Sequence, residues 1–399
     1  MEVVPRKRRP YSTLEKFEMK KTLVALAAFS AVSAFAQSAV TISGIINYGV
    51  YRSGDSSVFN PQTFGAIKGD RNNLSFDVKE EMGGGTNAIA KMQFRFNSAD
   101  GTTGYASTGG YDYSNSASLM EQTMVGLTSA SMGTVKFGRF TNDLGTHDFS
   151  VFEDSKVGTN ASNAMYGRLS ATTQYTSPNI SGFTIGLIGA KSTQNCWGNA
   201  GGATGGGIRT GINYCSYSAT GSTNFGATLL TYSNGPVLAQ AAAISGLYGD
   251  KNTRLSLRYE LSNGTKLYFG SYKQTGNVGS ISAAVAQTYA TVPVALTTSM
   301  GLQAHTSTEL GVSVPVGQIT LRAGYLTNNN DLGITSGVAV SDGTTKASKV
   351  SLGAEYNLSK RTMLMVQGGK VSNSTTALSG SSAGYTIGSS YFAGMQHSF

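Results

Sequence analysis

Arg71-Asn72-Asn73-Leu74-Ser75-Phe76-Asp77-Val78-Lys79 is two sequences interleaved. In an extended chain, Arg71, Asn73, Ser75, Asp77 and Lys79 lie on one face, and Asn72, Leu74, Phe76 and Val78 on the other. Successive side chains of a strand point to opposite sides, so this period of two predicts a sheet wetted on one face only. The same alternation returns in Arg254-Leu255-Ser256-Leu257-Arg258-Tyr259-Glu260-Leu261. It recurs in Ile319 to Tyr325, with Arg322 on the polar side, and in Val350 to Leu358, with Glu355 and Asn357 there.

The connections between such stretches fall into two kinds. Short ones, built from residues that turn the chain tightly, lie at Met82–Gly85, Ala130–Gly133, Pro178–Gly182, Ser233–Pro236, Ser262–Gly264, Pro315–Gly317 and Ser359–Arg361. Long ones lie near 53–69, 99–118, 141–167, 192–222, 245–252, 274–303, 328–346 and 373–383. Seven short turns and eight long loops join sixteen strands and leave both chain ends on the short-turn side. The expected fold is all-β: a 16-stranded antiparallel transmembrane β-barrel with short turns on the periplasmic side and long extracellular loops. Closure follows from the solvent, because lipid offers no partner to the open edge of a sheet. A barrel that wide cannot fill itself with wall side chains and encloses water.

Composition agrees. Of 399 residues, 51 are Gly, 20 Tyr and 17 Phe, and only 13% are charged, about half the ~25% of a soluble domain. The longest apolar run, near the N-terminus, is shorter than the ~20 residues of a membrane-spanning helix. Tyr48, Tyr175, Tyr325, Tyr356 and Tyr391 stand where an aromatic girdle is expected.

Met19-Lys20-Lys21, the apolar stretch Thr22 to Val32 and Ala34-Phe35-Ala36 have the order of a Sec signal peptide. The expected organisation is an upstream extension over 1–18, a signal peptide over 19–36 and the barrel over 37–399. The formal charge of +9 comes from 30 basic and 21 acidic residues; seven and three of these lie in 1–36, leaving 23 and 18, or +5. Most of the basicity that would suggest nucleic acid therefore departs with the targeting segment. Cys196 and Cys215 are an even pair in an oxidising compartment, either bridged or left as thiols. A bridge closing that loop would contribute roughly 3 kcal/mol.

Several motifs resemble the trimeric general porins of Gram-negative bacteria, of the beta-proteobacterial type. They are Val40-Thr41-Ile42-Ser43-Gly44, Glu80-Glu81-Met82-Gly83-Gly84-Gly85, Gly133-Thr134-Val135-Lys136-Phe137-Gly138-Arg139 and Tyr175-Thr176-Ser177-Pro178. Asn234-Gly235-Pro236, Tyr356-Asn357-Leu358-Ser359-Lys360-Arg361-Thr362 and the ending Gly394-Met395-Gln396-His397-Ser398-Phe399 are similar to that family too. The resemblance implies a homotrimer in the outer membrane, in contact with lipid and lipopolysaccharide. It also implies delivery by the barrel assembly machinery, with Phe399 as the assembly signal, and passive diffusion of ions and small hydrophilic solutes.

The resemblance further implies that the third loop, about 141–167, folds inward and narrows the channel to an eyelet. There acidic loop residues would face basic wall residues, and the field between them would filter solutes by size and charge. The loop supplies Asp143, Asp148, Glu153 and Asp154, with Lys156 of opposite sign. The wall candidates are Arg71, Arg95, Arg139 and Arg168. Arg139 shares parity with Val135 and Phe137 and points inward only if the strand breaks or bulges. Where the family would place wall arginines this chain has Asn73, Asp77 and Glu121, and the Pro-Glu-Phe-like loop tip is missing.

Other classes fit less well. The three histidines, His147, His305 and His397, stand in no hydrolase arrangement, and neither a G-x-S-x-G elbow nor an H-E-x-x-H motif occurs. The Gly-rich stretch Gly201 to Gly207 lacks the Lys-Ser/Thr of a phosphate loop. A secreted adhesin or solenoid would carry a fixed repeat period. No cofactor, metal or enzymatic activity is expected. The alternative to a general pore is a substrate-specific outer-membrane channel, with a barrel hydrolase or an adhesin behind it.

Overall fold

The computed structural model describes residues 39–52, 60–62, 72–96, 98, 120–145, 149–152, 168–192, 223–245, 251–275, 299–335, 343–372 and 388–399. Its strands, in chain order, begin with β1 (Ala39–Arg52), β2 (Asn60–Gln62), β3 (Asn73–Gly83), β4 (Thr86–Arg95), β5 (Met120–Ser129) and β6 (Gly133–Thr141). Then follow β7 (Arg168–Thr176), β8 (Phe183–Ser192), β9 (Thr223–Asn234), β10 (Val237–Ser245), β11 (Lys251–Glu260) and β12 (Lys266–Thr275). The last five are β13 (Ser299–Val316), β14 (Ile319–Thr335), β15 (Gly343–Asn357), β16 (Thr362–Ser372) and β17 (Gly388–Ser398).

From β3 onward each strand pairs antiparallel with its successor, and β1 closes the circle by pairing with both β3 and β17. One edge of β1 runs from Ala39 opposite Lys79 to Ile45 opposite Asn73, and the other from Ile45 opposite Ser398 to Arg52 opposite Tyr391. The seam ends in a reciprocal pair of backbone bonds between Gly44 and Phe399, each 3.0 Å. The cylinder thus has sixteen strands. The short β2 is additional: it pairs with β1 at Tyr51, Val50 and Gly49, within the stretch 53–69 expected to be loop.

All seven short connections form as expected. The turn between β7 and β8 shows why those residues suit it. Ser181 and Gly182 both have positive φ, 53° and 93°, while Ile180 and Phe183 exchange two backbone bonds of 2.9 Å. That geometry matches the right-handed twist of the two strands it joins. The long loops needed more correction. β13 starts at Ser299, β14 continues to Thr335 and β15 begins at Gly343, so strand takes the end of the loop placed at 274–303 and most of the loop placed at 328–346. Asn328 to Asp331 stay in the ladder opposite Thr344 to Ala347. These polar runs carry no period-two signal, and the backbone ladder does not require one.

The outward face is apolar. Leu255 and Leu257 of β11, Leu352 of β15 and Val366 of β16 are exposed, while the intervening Arg254, Ser256, Ser351, Glu355 and Gln367 are buried on the lumen side. Tyr48, Tyr175, Tyr325, Tyr356 and Tyr391 are all exposed on the outer surface. Two irregularities break the alternation beside the lumen. Between Gln93 and Phe94 the partner on β5 jumps from Gln122 to Met120, which leaves Glu121 bulged and buried beside Gln122. On β7, Gly138 pairs with Thr172 but Phe140 with Leu169, so the extra residue lies on β7, where Ala171 has φ 50°. Leu169 and Thr172 consequently both face inward, and the Thr172 hydroxyl donates to the Leu169 carbonyl at 2.8 Å.

Candidate functional site

Past Thr141 the chain turns into the barrel instead of away from it. Asn142, fully buried, fixes the turn: its side-chain oxygen accepts from Leu144 N–H at 3.0 Å, and its carbonyl from Gly145 N–H at 2.8 Å. Asp143 is bonded to β7, with Thr176 donating to its carboxylate at 2.8 Å and its own N–H donating to Gln174 at 3.1 Å. Lys136 Nζ lies 3.8 Å from the same carboxylate and 4.9 Å from the centre of the Phe140 ring. Leu144 then joins a buried apolar cluster with Leu169, Ile188, Ala190, Phe225, Ala227, Leu229, Ala242 and Ile244. Apolar residues on the inner wall of a wet barrel need a partner, and Leu144 is one. Gln240 donates to the Asp143 carbonyl at 3.4 Å. Arg254 donates to the Leu144 carbonyl at 2.5 Å and to the Gln240 side-chain oxygen.

The segment is held a second time at Phe149 to Phe152, all four buried. Ser150 donates to Glu309 of β13 at 2.6 Å. Arg322 of β14 donates to the Val151 carbonyl at 3.1 Å and, through its other terminal nitrogen, to Glu355 of β15 at 3.0 Å. Val151 and Phe152 pack with Tyr268, Met365 and Phe392, which reach in from β12, β16 and β17. One end therefore rests on β7, β10 and β11 and the other on β12 to β17.

On β3 to β5 the inner face is a hydrogen-bonded ladder. Ser75 donates to Asn73 at 3.4 Å, Gln93 to Ser75 at 2.9 Å, Gln122 to Gln93 at 2.5 Å, and Thr141 N–H to Gln122 at 2.7 Å. Two ion pairs flank it. Lys91 meets Asp77 at 3.0 Å, directly across the β3–β4 pair. Arg95 meets the bulged Glu121, with Nε donating to Oε2 at 2.9 Å and a second bond from its terminal nitrogen to Oε1. Arg95 and Glu121 are 4% and 7% exposed, so this pair is out of bulk water.

The structure brings Arg95 and Asp143 to the inner side, each beside an opposite charge. Arg139 lies opposite Thr123 on the parity of the exposed Phe137, since the nearby bulge belongs to β7 and leaves β6 in register with β5. Arg168 is the first residue of β7, and its side chain lies outside the described residues. Arg71, Asp148, Glu153, Asp154, Lys156, Cys196 and Cys215 also lie outside them. Sequence reasoning missed Gln240, Arg254, Glu309, Arg322 and Glu355 as loop contacts. Alternation had put Arg254, Arg322 and Glu355 on the polar face, but which of them meet the segment depends on contacts 110 and 171 residues apart in the chain. Among the described residues no group of three or more His, Cys, Asp or Glu could hold a metal ion.

A strand cylinder that is greasy outside and polar inside, with a chain segment pinned across its interior, defines an outer-membrane channel. The family model for Gram-negative porins matches residues 22–376, and the chain belongs to that family. It is 24% identical over 395 residues to the major outer membrane protein P.IB of Neisseria lactamica, covering 96% of this chain and 100% of that protein. It is 29% identical over 191 residues to an outer membrane porin protein of Bordetella pertussis, a match spanning 42% of this chain and 47% of that protein. The anion-selective porin from Comamonas acidovorans shares the fold, with a TM-score of 0.58 at 19% identity, over 91% of this chain and 100% of that one. The protein is thus an outer-membrane porin, a non-enzymatic channel for passive diffusion.

Proposed function

We propose that this porin is a general pore whose filter is the narrow passage left by the segment 141–167. The observation that carries this reading is the double attachment of the described part of that segment, first by Asp143 and Leu144 and again by Ser150 to Phe152. A strand-wide cylinder would otherwise pass solutes far larger than ions. The paired wall charges, Asp77 with Lys91 and Arg95 with Glu121, support weak charge preference. Residual anion preference follows from the +5 charge left when residues 1–36 are removed, in the same sense as the Comamonas protein is described. The eyelet would also use Arg71, Asp148, Glu153, Asp154, Lys156 and Arg168 as its charged residues, while Arg139, on the outward parity of β6, would not take part.

Three such barrels would assemble as a homotrimer in contact with lipopolysaccharide. Each would be exported through the signal peptide at 19–36 and recognised by the assembly machinery through Phe399. Single-channel recording in planar bilayers under a salt gradient tests the proposal. Conductance steps in threes, a small reversal potential and no saturation by any one solute are expected. Saturation by a single solute class would establish a substrate-specific channel instead, and silent bilayers would refute both.

A further inference from the structure

Two lumen-facing glycines mark where the tip of the inward segment sits. Gly311 stands on β13 between the buried Glu309 and Ser313, and Gly353 on β15 between the buried Ser351 and Glu355. A β-carbon at 311 would lie 2.6 Å from Val151 Cγ1 and 2.7 Å from its Cβ. One at 353 would lie 2.9 Å from Cε1 of the Phe152 ring. Neither glycine has the positive φ that would itself demand glycine. What glycine supplies at both is room, and a strand gives up roughly 0.5–1 kcal/mol for it relative to alanine. Val151 and Phe152, apolar side chains inside a polar lumen, are both 0% exposed.

We propose that Gly311 and Gly353 form a two-part socket that seats Val151 and Phe152 against the wall and so sets the bore of the pore. In this role they are positioning residues for permeation and touch no solute. The inference rests on the reading of 141–167 as the constriction. The bonds from Ser150 and Arg322 fix the backbone beside the socket, and the socket decides how closely the segment lies against the wall. Filling it pushes the Phe152 ring away from β15 and the segment that carries it toward the passage.

The test is planar-bilayer recording of the full-length protein as wild type, Gly353→Ala, Phe152→Ala, the double variant and Gly368→Ala. The last is a control, since a β-carbon there would meet its nearest neighbour, the Tyr391 ring, at an ordinary 3.5 Å. Gly353→Ala should lower the main conductance by about 1.5-fold, with flicker to lower levels, because a narrowed constriction governs the current. Adding Phe152→Ala should return the double variant to the level of Phe152→Ala alone, and Gly368→Ala should conduct as wild type. Phe152→Trp places the excess volume on the segment instead of the wall and should lower conductance in the same way, which keeps the test decisive if Gly353→Ala fails to assemble. Wild-type conductance from a folded Gly353→Ala variant, or a lowered level that persists in the double variant, would overturn the proposal. A silent wild type would end the channel reading itself, and this inference with it.

Discussion

Charge in this lumen is decided residue by residue through the neighbour each group meets. Arg95 would read from sequence as an open cation, yet it is sheltered with Glu121, which reaches it because the strand bulges there. Replacing Glu121 with Gln takes away that carboxylate and makes the inner wall more positive by one. The reversal potential in a salt gradient should then shift toward chloride, and the folded barrel should lose about 2 kcal/mol, the usual worth of a hydrogen bond to a charged group. Arg322 and Glu355 form the second buried pair, 7% and 4% exposed. Arg322→Ala should cost about 3–5 kcal/mol, because it strands a buried carboxylate. Arg322→Met combined with Glu355→Gln should cost clearly less, as read from urea unfolding in detergent or lipid. Alternation alone identified both as inward-facing. Their meeting with Val151 could not be read, since it joins residues 171 apart through a segment with no periodicity.

At the scale of elements, the period of two and the turn residues made most of the barrel legible. Every short connection was foreseen because Gly, Pro, Asn and Ser cluster where the chain reverses within a few residues. The misplaced ends of β13, β14 and β15 have the opposite cause: a ladder needs only backbone, so polar runs such as Asn328 to Asp331 pair without a strand signature in their side chains. The bulge on β7 was equally hidden. Ala171 occupies φ 50°, a left-handed backbone that costs a residue with a β-carbon roughly 1–2 kcal/mol. Ala171→Gly should therefore stabilise the barrel by about 0.5–1 kcal/mol after glycine's own entropy cost is allowed for. A higher temperature for the loss of the fast-migrating folded band on an electrophoretic gel would show it. An unchanged or lower temperature would mean that the bulge is held without strain.

For the molecule as a whole, the solvent on each side of the wall sets which substitutions it tolerates. Leu352 is 60% exposed on the lipid-facing side, one residue from Ser351 at 1% on the inner side. Leu352→Arg should cost about 2–4 kcal/mol if it lies near the bilayer midplane, seen as a lower yield of folded protein in thick bilayers and partial rescue in thin ones.

The seam at Gly44 and Phe399 gives the molecule a fixed order of events. The first strand closes only on β17, so no cylinder can shut until both have been made. A chain released one strand early would be a sheet with two raw edges in the periplasm, fit for aggregation or proteolysis and useless as a conduit. Closure is thus checked by geometry before the protein can work at all.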